Sequence, residues 1–128
     1  MWRAVALLAL LGFCERDETV AGHGGGADAW VLQEIDGEAF TAEAWLRFGE
    51  GGAVTGPGPC ASFTAQQTAP YPWFAIEDLR ADGPNCPALA REVQILEALS
   101  AMTLSEVGPS VMILSSEDGR EMIFSRTQ

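Results

Sequence analysis

The chain contains no lysine. Its seven cations are all arginines, set against 18 Asp and Glu, for a formal charge of -11 over 128 residues. Without lysine there is no Schiff-base chemistry and no lysine-dependent phosphate loop. The sole histidine, His23, stands in a Gly-rich stretch near the N-terminus. A Ser-His-Asp or Cys-His arrangement therefore has no base in the rest of the chain, and a His-based zinc site is excluded there too. Three cysteines, Cys14, Cys60 and Cys86, are too few for an all-thiolate zinc site. No G-x-G-x-x-G follows a strand-like run. An acidic surface repels phosphate backbones, so nucleic acid is not an expected partner. The acidity instead favours solubility. Carboxylate pairs remain, as in any acidic chain. Glu117-Asp118 read as a turn and Glu34 and Asp36 as a strand end, with nothing to gather two of them in one cleft. The expectation is a protein that is not an enzyme and takes no metal or cofactor.

Long apolar runs are also missing. The longest, residues 4–13 (AVALLALLGF), follows Arg3. It is about half of the roughly 20 residues that a bilayer-spanning helix needs. A basic start and a short apolar stretch fit a secretory signal peptide over residues 1–14. Leu11-Gly12-Phe13-Cys14 resembles the lipobox of a bacterial lipoprotein, with Phe13 where that pattern has a small residue. Cys14 is the candidate lipid anchor. The alternative is ordinary cleavage near Val20-Ala21-Gly22. Residues 15–29 hold charges and Gly24-Gly25-Gly26 but little that can form a core, and they read as a flexible tether. The expected location is the periplasmic face of the envelope, lipid-anchored or soluble, with membrane contact through the lipid alone.

Residues 30–128 are long enough for one domain with a single core. Residues 30–35 alternate as a strand, with Trp30, Leu32 and Ile35 facing in, and Asp36-Gly37 is a turn signal. Residues 45–48 and 53–56 read as a hairpin closed by Gly49-Glu50-Gly51-Gly52. Residues 61–65 fit either a short strand or a helical turn, and residues 73–79 read as a strand. A helix opens near Pro87, a residue that suits a first turn, with Asn85 or Cys86 as cap. Leu89, Val93, Leu96 and Leu99 or Ser100 give it a core-facing stripe, leaving Arg91, Glu92, Gln94 and Glu97 in water. Residues 103–107, 111–114 and 121–125 form a meander, with Asp118-Gly119 as the strongest hairpin signal. Strands, one helix, then strands imply an α+β domain: a curled, partly closed antiparallel β-sheet with one main covering α-helix.

Four stretches in this order resemble the META domain, the HslJ-like family of small bacterial envelope proteins. They are Trp30-Val31-Leu32 with Ile35 and Gly37; Leu46 and Phe48 with Val54, Gly56, Cys60 and Phe63; Cys86-Pro87 with Glu92, Leu96 and Leu99; and Val111, Ile113, Leu114, Gly119, Met122 and Phe124. The likeness spans nearly all of residues 30–126. Pro59-Cys60-Ala61 departs from the family's Gly-Cys-Asn, so the Asn position is lost. The resemblance implies the same small α+β fold, an envelope location, a link to stress tolerance and no established catalysis.

Export would place Cys60 and Cys86 in an oxidising compartment, and both sit at Gly/Pro corners where backbones approach. Their expected disulfide closes about 26 residues and contributes roughly 3.5 kcal/mol by loop entropy. The alternative is two buried free thiols. Two functions remain open: a structural, stress-tolerance or protein-interaction module, or a binder of a small apolar ligand. Tyr71 and Trp73, in a proline-flanked loop, are the candidate contact patch. Trp30, Trp45, Tyr71, Trp73 and Phe74 are the candidates for lining a ligand pocket.

Overall fold

Period-two alternation sets the strands. In Trp30–Ile35 (β1) the buried positions are Trp30, Leu32 and Ile35. The step from 32 to 35 comes from a bulge between Leu32 and Glu34, where one extra residue lets Ile35 regain the inner face. Asp36 and Gly37 both have positive φ, the conformation a two-residue hairpin turn requires, and lead into Glu38–Ala39 (β2). This two-residue strand was not expected from the sequence. The remaining strands are Trp45–Phe48 (β3), Ala53–Pro57 (β4), Ser62–Gln67 (β5), Ile76–Asp82 (β6), Leu104–Val107 (β7), Val111–Ser115 (β8) and Glu121–Arg126 (β9). One helix, Leu89–Ala101 (α1), lies between β6 and β7. The computed structural model describes Val20, Gly22, Gly25, Gly26 and residues 29–57, 62–82 and 89–127.

The sheet order is β6-β5-β4-β3-β1-β9-β8-β7, with β2 on β1, and the pairings among these strands are antiparallel. The ends of this path meet. Residues 71–74 run antiparallel to β7: Trp73 bridges Leu104, the Phe74 N–H donates to the Thr103 carbonyl and the Ser105 N–H to the Pro72 carbonyl. The chain then continues as β6 and pairs with β5. A single stretch thus touches both ends of the sheet and curls it into a barrel.

Antiparallel order brings strand ends to two rims. At one, β1, β4, β6 and β8 begin; at the other, β6 ends and β7 begins. The helix joining β6 to β7 belongs to the second rim, where its Glu97 pairs with Arg120 beside the start of β9. Trp30, Leu46, Phe48, Phe63, Met112, Leu114, Met122 and Phe124 fill the interior, joined by Phe74 from the closing stretch. Burying each such side chain contributes about 1.5–3 kcal/mol.

Three expectations are corrected. The strand read over residues 73–79 runs from 76 to 82, because residues 71–74 serve the opposite edge of the sheet. The buried face of α1 is Glu92, Ile95, Ala98 and Leu99, with Leu96 partly buried against the core; of the expected stripe Val93 turns outward, at 57% exposure, while Glu92, expected in water, is 3% exposed. Both stripes have helical spacing, and the rim that the helix covers selects between them. The tether expected over residues 15–29 carries a packed residue. Val20 is fully buried, the Gly25 N–H donates to its carbonyl at 2.9 Å, and the Trp30 indole N–H donates to the Gly25 carbonyl at 3.0 Å.

Candidate functional site

The proline-flanked stretch expected to form a contact patch proves to be the seam of the barrel. An edge strand exposes backbone donors that need partners. The Ser105 N–H and hydroxyl both go to the Pro72 carbonyl, at 2.7 and 3.2 Å. The next inward donor, the Val107 N–H, is taken by the Tyr71 hydroxyl at 3.2 Å. Tyr71 is thereby half-buried and engaged in the fold. Phe74 turns into the core, meeting Phe48 edge to face at 6.5 Å between ring centres. Trp73, between them, points outward and is 58% exposed. Of the expected patch, Trp73 offers its face to solvent, and Tyr71 holds the backbone that presents it.

A second feature lies on the outer face of β3, β4 and β5. Trp45, Thr55, Gly56, Ser62, Phe63 and Thr64 line an open groove of about 360 Å³. Gly56 makes it possible: a side chain there would collide with the Trp45 carbonyl oxygen and reach Phe63. The Arg47 guanidinium stands 5.5 Å from the Trp45 ring centre, a cation–π pair at the groove's side. A neighbouring groove of about 370 Å³, lined by Thr64, Ala65, Gln66, Asp78 and Arg80, is more polar.

The third feature is electrostatic and has no signal in the sequence. Arg120 contacts Asp36 at 3.1 Å and Glu97 at 2.7 Å, tying the β1–β2 turn to the β8–β9 turn and to α1. The Glu121 N–H donates to the other Asp36 oxygen at 3.0 Å. That backbone donor, followed by the Arg120 guanidinium, lowers the Asp36 pKa below its ordinary value. Glu97, then Asp36, raises that of Arg120. The cluster ties together turns that lie 84 residues apart in sequence. Gln67 is a further residue the alternation alone does not flag as unusual. It is 2% exposed, and its side-chain amide has no hydrogen-bond partner among the described residues.

Cys14, Cys60 and Cys86, and the expected cap at Asn85 or Cys86, lie outside the described residues. Their flanks are described: Ser62 pairs with Pro57 on one side and with Asp82 on the other. Among the described residues no group of His, Cys, Asp and Glu is placed to hold a metal ion, and no helix is long and apolar enough to cross a membrane.

A family model for the META domain matches residues 26–128. The chain belongs to the META domain family. This META domain has the fold of a protein from Burkholderia xenovorans solved by NMR, at 20% identity and a TM-score of 0.69 over 85% of this chain and 88% of that one. It is also similar to the crystal structure of a DUF4847 family protein from Bacteroides vulgatus, at 14% identity and a TM-score of 0.63 over 80% and 92% of the two chains. At these identities the likeness shows the fold alone. No curated protein matches the chain.

Proposed function

We propose that this META domain is a non-catalytic module of the bacterial cell envelope, exported by its leader and held at the membrane by lipid on Cys14. Its role in this reading is structural or one of protein contact, within the stress-tolerance setting that the family resemblance implies. The seam carries the proposal. It displays Trp73 at 58% exposure on a backbone hydrogen-bonded to β7 through Pro72 and Phe74. An exposed indole on a rigid support is the kind of anchor that protein interfaces use. Trp30 and Phe74, which would have lined a ligand cavity, are instead packed among core side chains. The absence of lysine and the position of the one histidine support a non-catalytic role.

The test is the intact mass of the protein purified from bacterial envelopes. A chain beginning at Cys14 with diacylglycerol and acyl groups is expected. A lipid-free chain beginning near Val20-Ala21-Gly22, or at Met1, would overturn the anchor. A second reading, binding of a small apolar ligand, draws on the groove beside Trp45 and Phe63. It predicts a change in tryptophan fluorescence on adding an apolar probe that the Trp45→Ala variant loses.

A further inference from the structure

We propose that the rim at which β1 begins is the membrane-facing surface of the domain, and that Val20 is the clasp that holds it there. The inference rests on the lipid anchor at Cys14 proposed above.

The length of the leash is the first argument. With residues 15–29 as a free tether, the domain could turn either rim to the membrane. Val20 removes that freedom. Its side chain is fully buried in the core, its carbonyl accepts the Gly25 N–H, and the Gly25 carbonyl accepts the Trp30 indole N–H. Gly25 is itself required: a side chain there would strike Val20. Only residues 15–19 separate Cys14 from this packed point. Even fully extended, the step from Cys14 to Val20 covers no more than about 20 Å. A domain of about 100 residues is roughly 30 Å across. The clasp lies beside the start of β1, so the opposite rim is beyond the reach of an anchored chain.

Charge is the second argument, and it is independent of the first. The helix rim carries Asp36, Glu38, Glu97, Glu117, Asp118 and Glu121 against Arg91 and Arg120. The clasp rim carries fewer carboxylates, Glu50, Glu77 and Glu106 near its strand ends, together with Arg126, whose guanidinium lies 4.4 Å from the Trp30 ring centre. Bacterial membranes present anionic headgroups, which repel carboxylates within a Debye length of the surface. The more acidic rim is therefore favoured facing away, and that is the orientation the clasp imposes. The turn at 108–110 and the exposed Val111 then face the lipid.

The test uses the full acylated chain in nanodiscs of phosphatidylethanolamine and phosphatidylglycerol that contain a small share of gadolinium-chelating lipid. Amide relaxation is read residue by residue, after intact mass has established acylation at Cys14. The amides of Gly51 and Ser110 should relax several-fold faster than those of Asp118 and Gly119. A Gly-Ser linker of about 20 residues inserted between Thr19 and Val20 lengthens the leash without touching the core, and should bring the two sets together. Val20→Asp should do the same by expelling the clasp. Equal rates in the acylated parent, or rates unchanged by the linker, overturn the clasp and leave the anchor standing. A chain without acyl groups at Cys14 overturns both.

Discussion

The Tyr71 hydroxyl accepts the backbone N–H of Val107 at 3.2 Å, so a side chain takes the place of a strand partner at the seam of the barrel. Residues 72–74 supply backbone partners to β7, but their pairing reaches no further along it than Ser105. Tyr71 extends the coverage to Val107. Tyr71→Phe keeps the ring and removes the acceptor. It should cost about 1 kcal/mol in denaturant unfolding. Amide hydrogen exchange should rise at Val107 while Phe74, bonded to Thr103, stays protected. Unchanged exchange at Val107 would show that the hydroxyl does not hold the seam.

Gly56 should tolerate no side chain. Gly56→Ala brings a methyl group against the Trp45 carbonyl oxygen and the Phe63 ring. The backbone would have to move, so the expected loss is about 1–3 kcal/mol. Gly37, with open space around it, gives a contrast: its positive φ makes alanine unfavourable through backbone strain and not through collision. Crystal structures of the two variants would separate the causes, with β3 and β4 spreading only in the first.

The Asp36–Arg120–Glu97 cluster should make stability depend on pH in one direction. The Asp36 pKa is lowered in the folded protein, first by the Glu121 N–H and then by Arg120. Its contribution is therefore complete above the unfolded value of about 3.9 and is lost as pH falls through the lower folded value. Asp36→Asn should remove this dependence below about pH 4. At neutral pH it should cost no more than about 1 kcal/mol, since Asp36 is exposed and the pair is open to salt. Thermal melts between pH 2 and 7 at two salt concentrations check both statements.

The cysteine pair gives the fourth prediction. Cys60 lies two positions before Ser62 and Cys86 four after Asp82, and Ser62 and Asp82 are paired across β5 and β6. The described ends of the two cysteine-bearing connections are thus side by side. Reduction should add about 2 Da and lower stability by roughly 3.5 kcal/mol, the loop-entropy value for such a closure. An unchanged mass would leave the fold intact and remove the disulfide from its account.

Much of the local structure is legible in the residues. The β1 boundaries and the β8–β9 hairpin follow from alternation and Asp-Gly turns, because those patterns encode backbone conformation at short range. The helix was legible as a helix but not in its rotation. Val93 and Ile95 are both apolar, and no residue within α1 says which of them meets the barrel. The candidate site was half legible. Prolines at 70 and 72 marked an irregular stretch with an exposed aromatic, and Trp73 is one. That Tyr71 is a bond acceptor for Val107, 36 residues away, has no local sign.

By itself the sequence determined most of the strand faces, the main turns, the acidity and the narrow chemical inventory. These depend on residue type and short spacings. Tertiary structure decided which strands are neighbours, where the barrel closes, which stripe of α1 is buried, and that Val20 belongs to the core. Each of those rests on a partner supplied from elsewhere in the chain: Thr103 for Phe74, Arg120 for Asp36, Gly25 for Trp30. Buried backbone donors and apolar side chains must be satisfied by whatever the fold brings to them, and that is settled only when the sheet has curled.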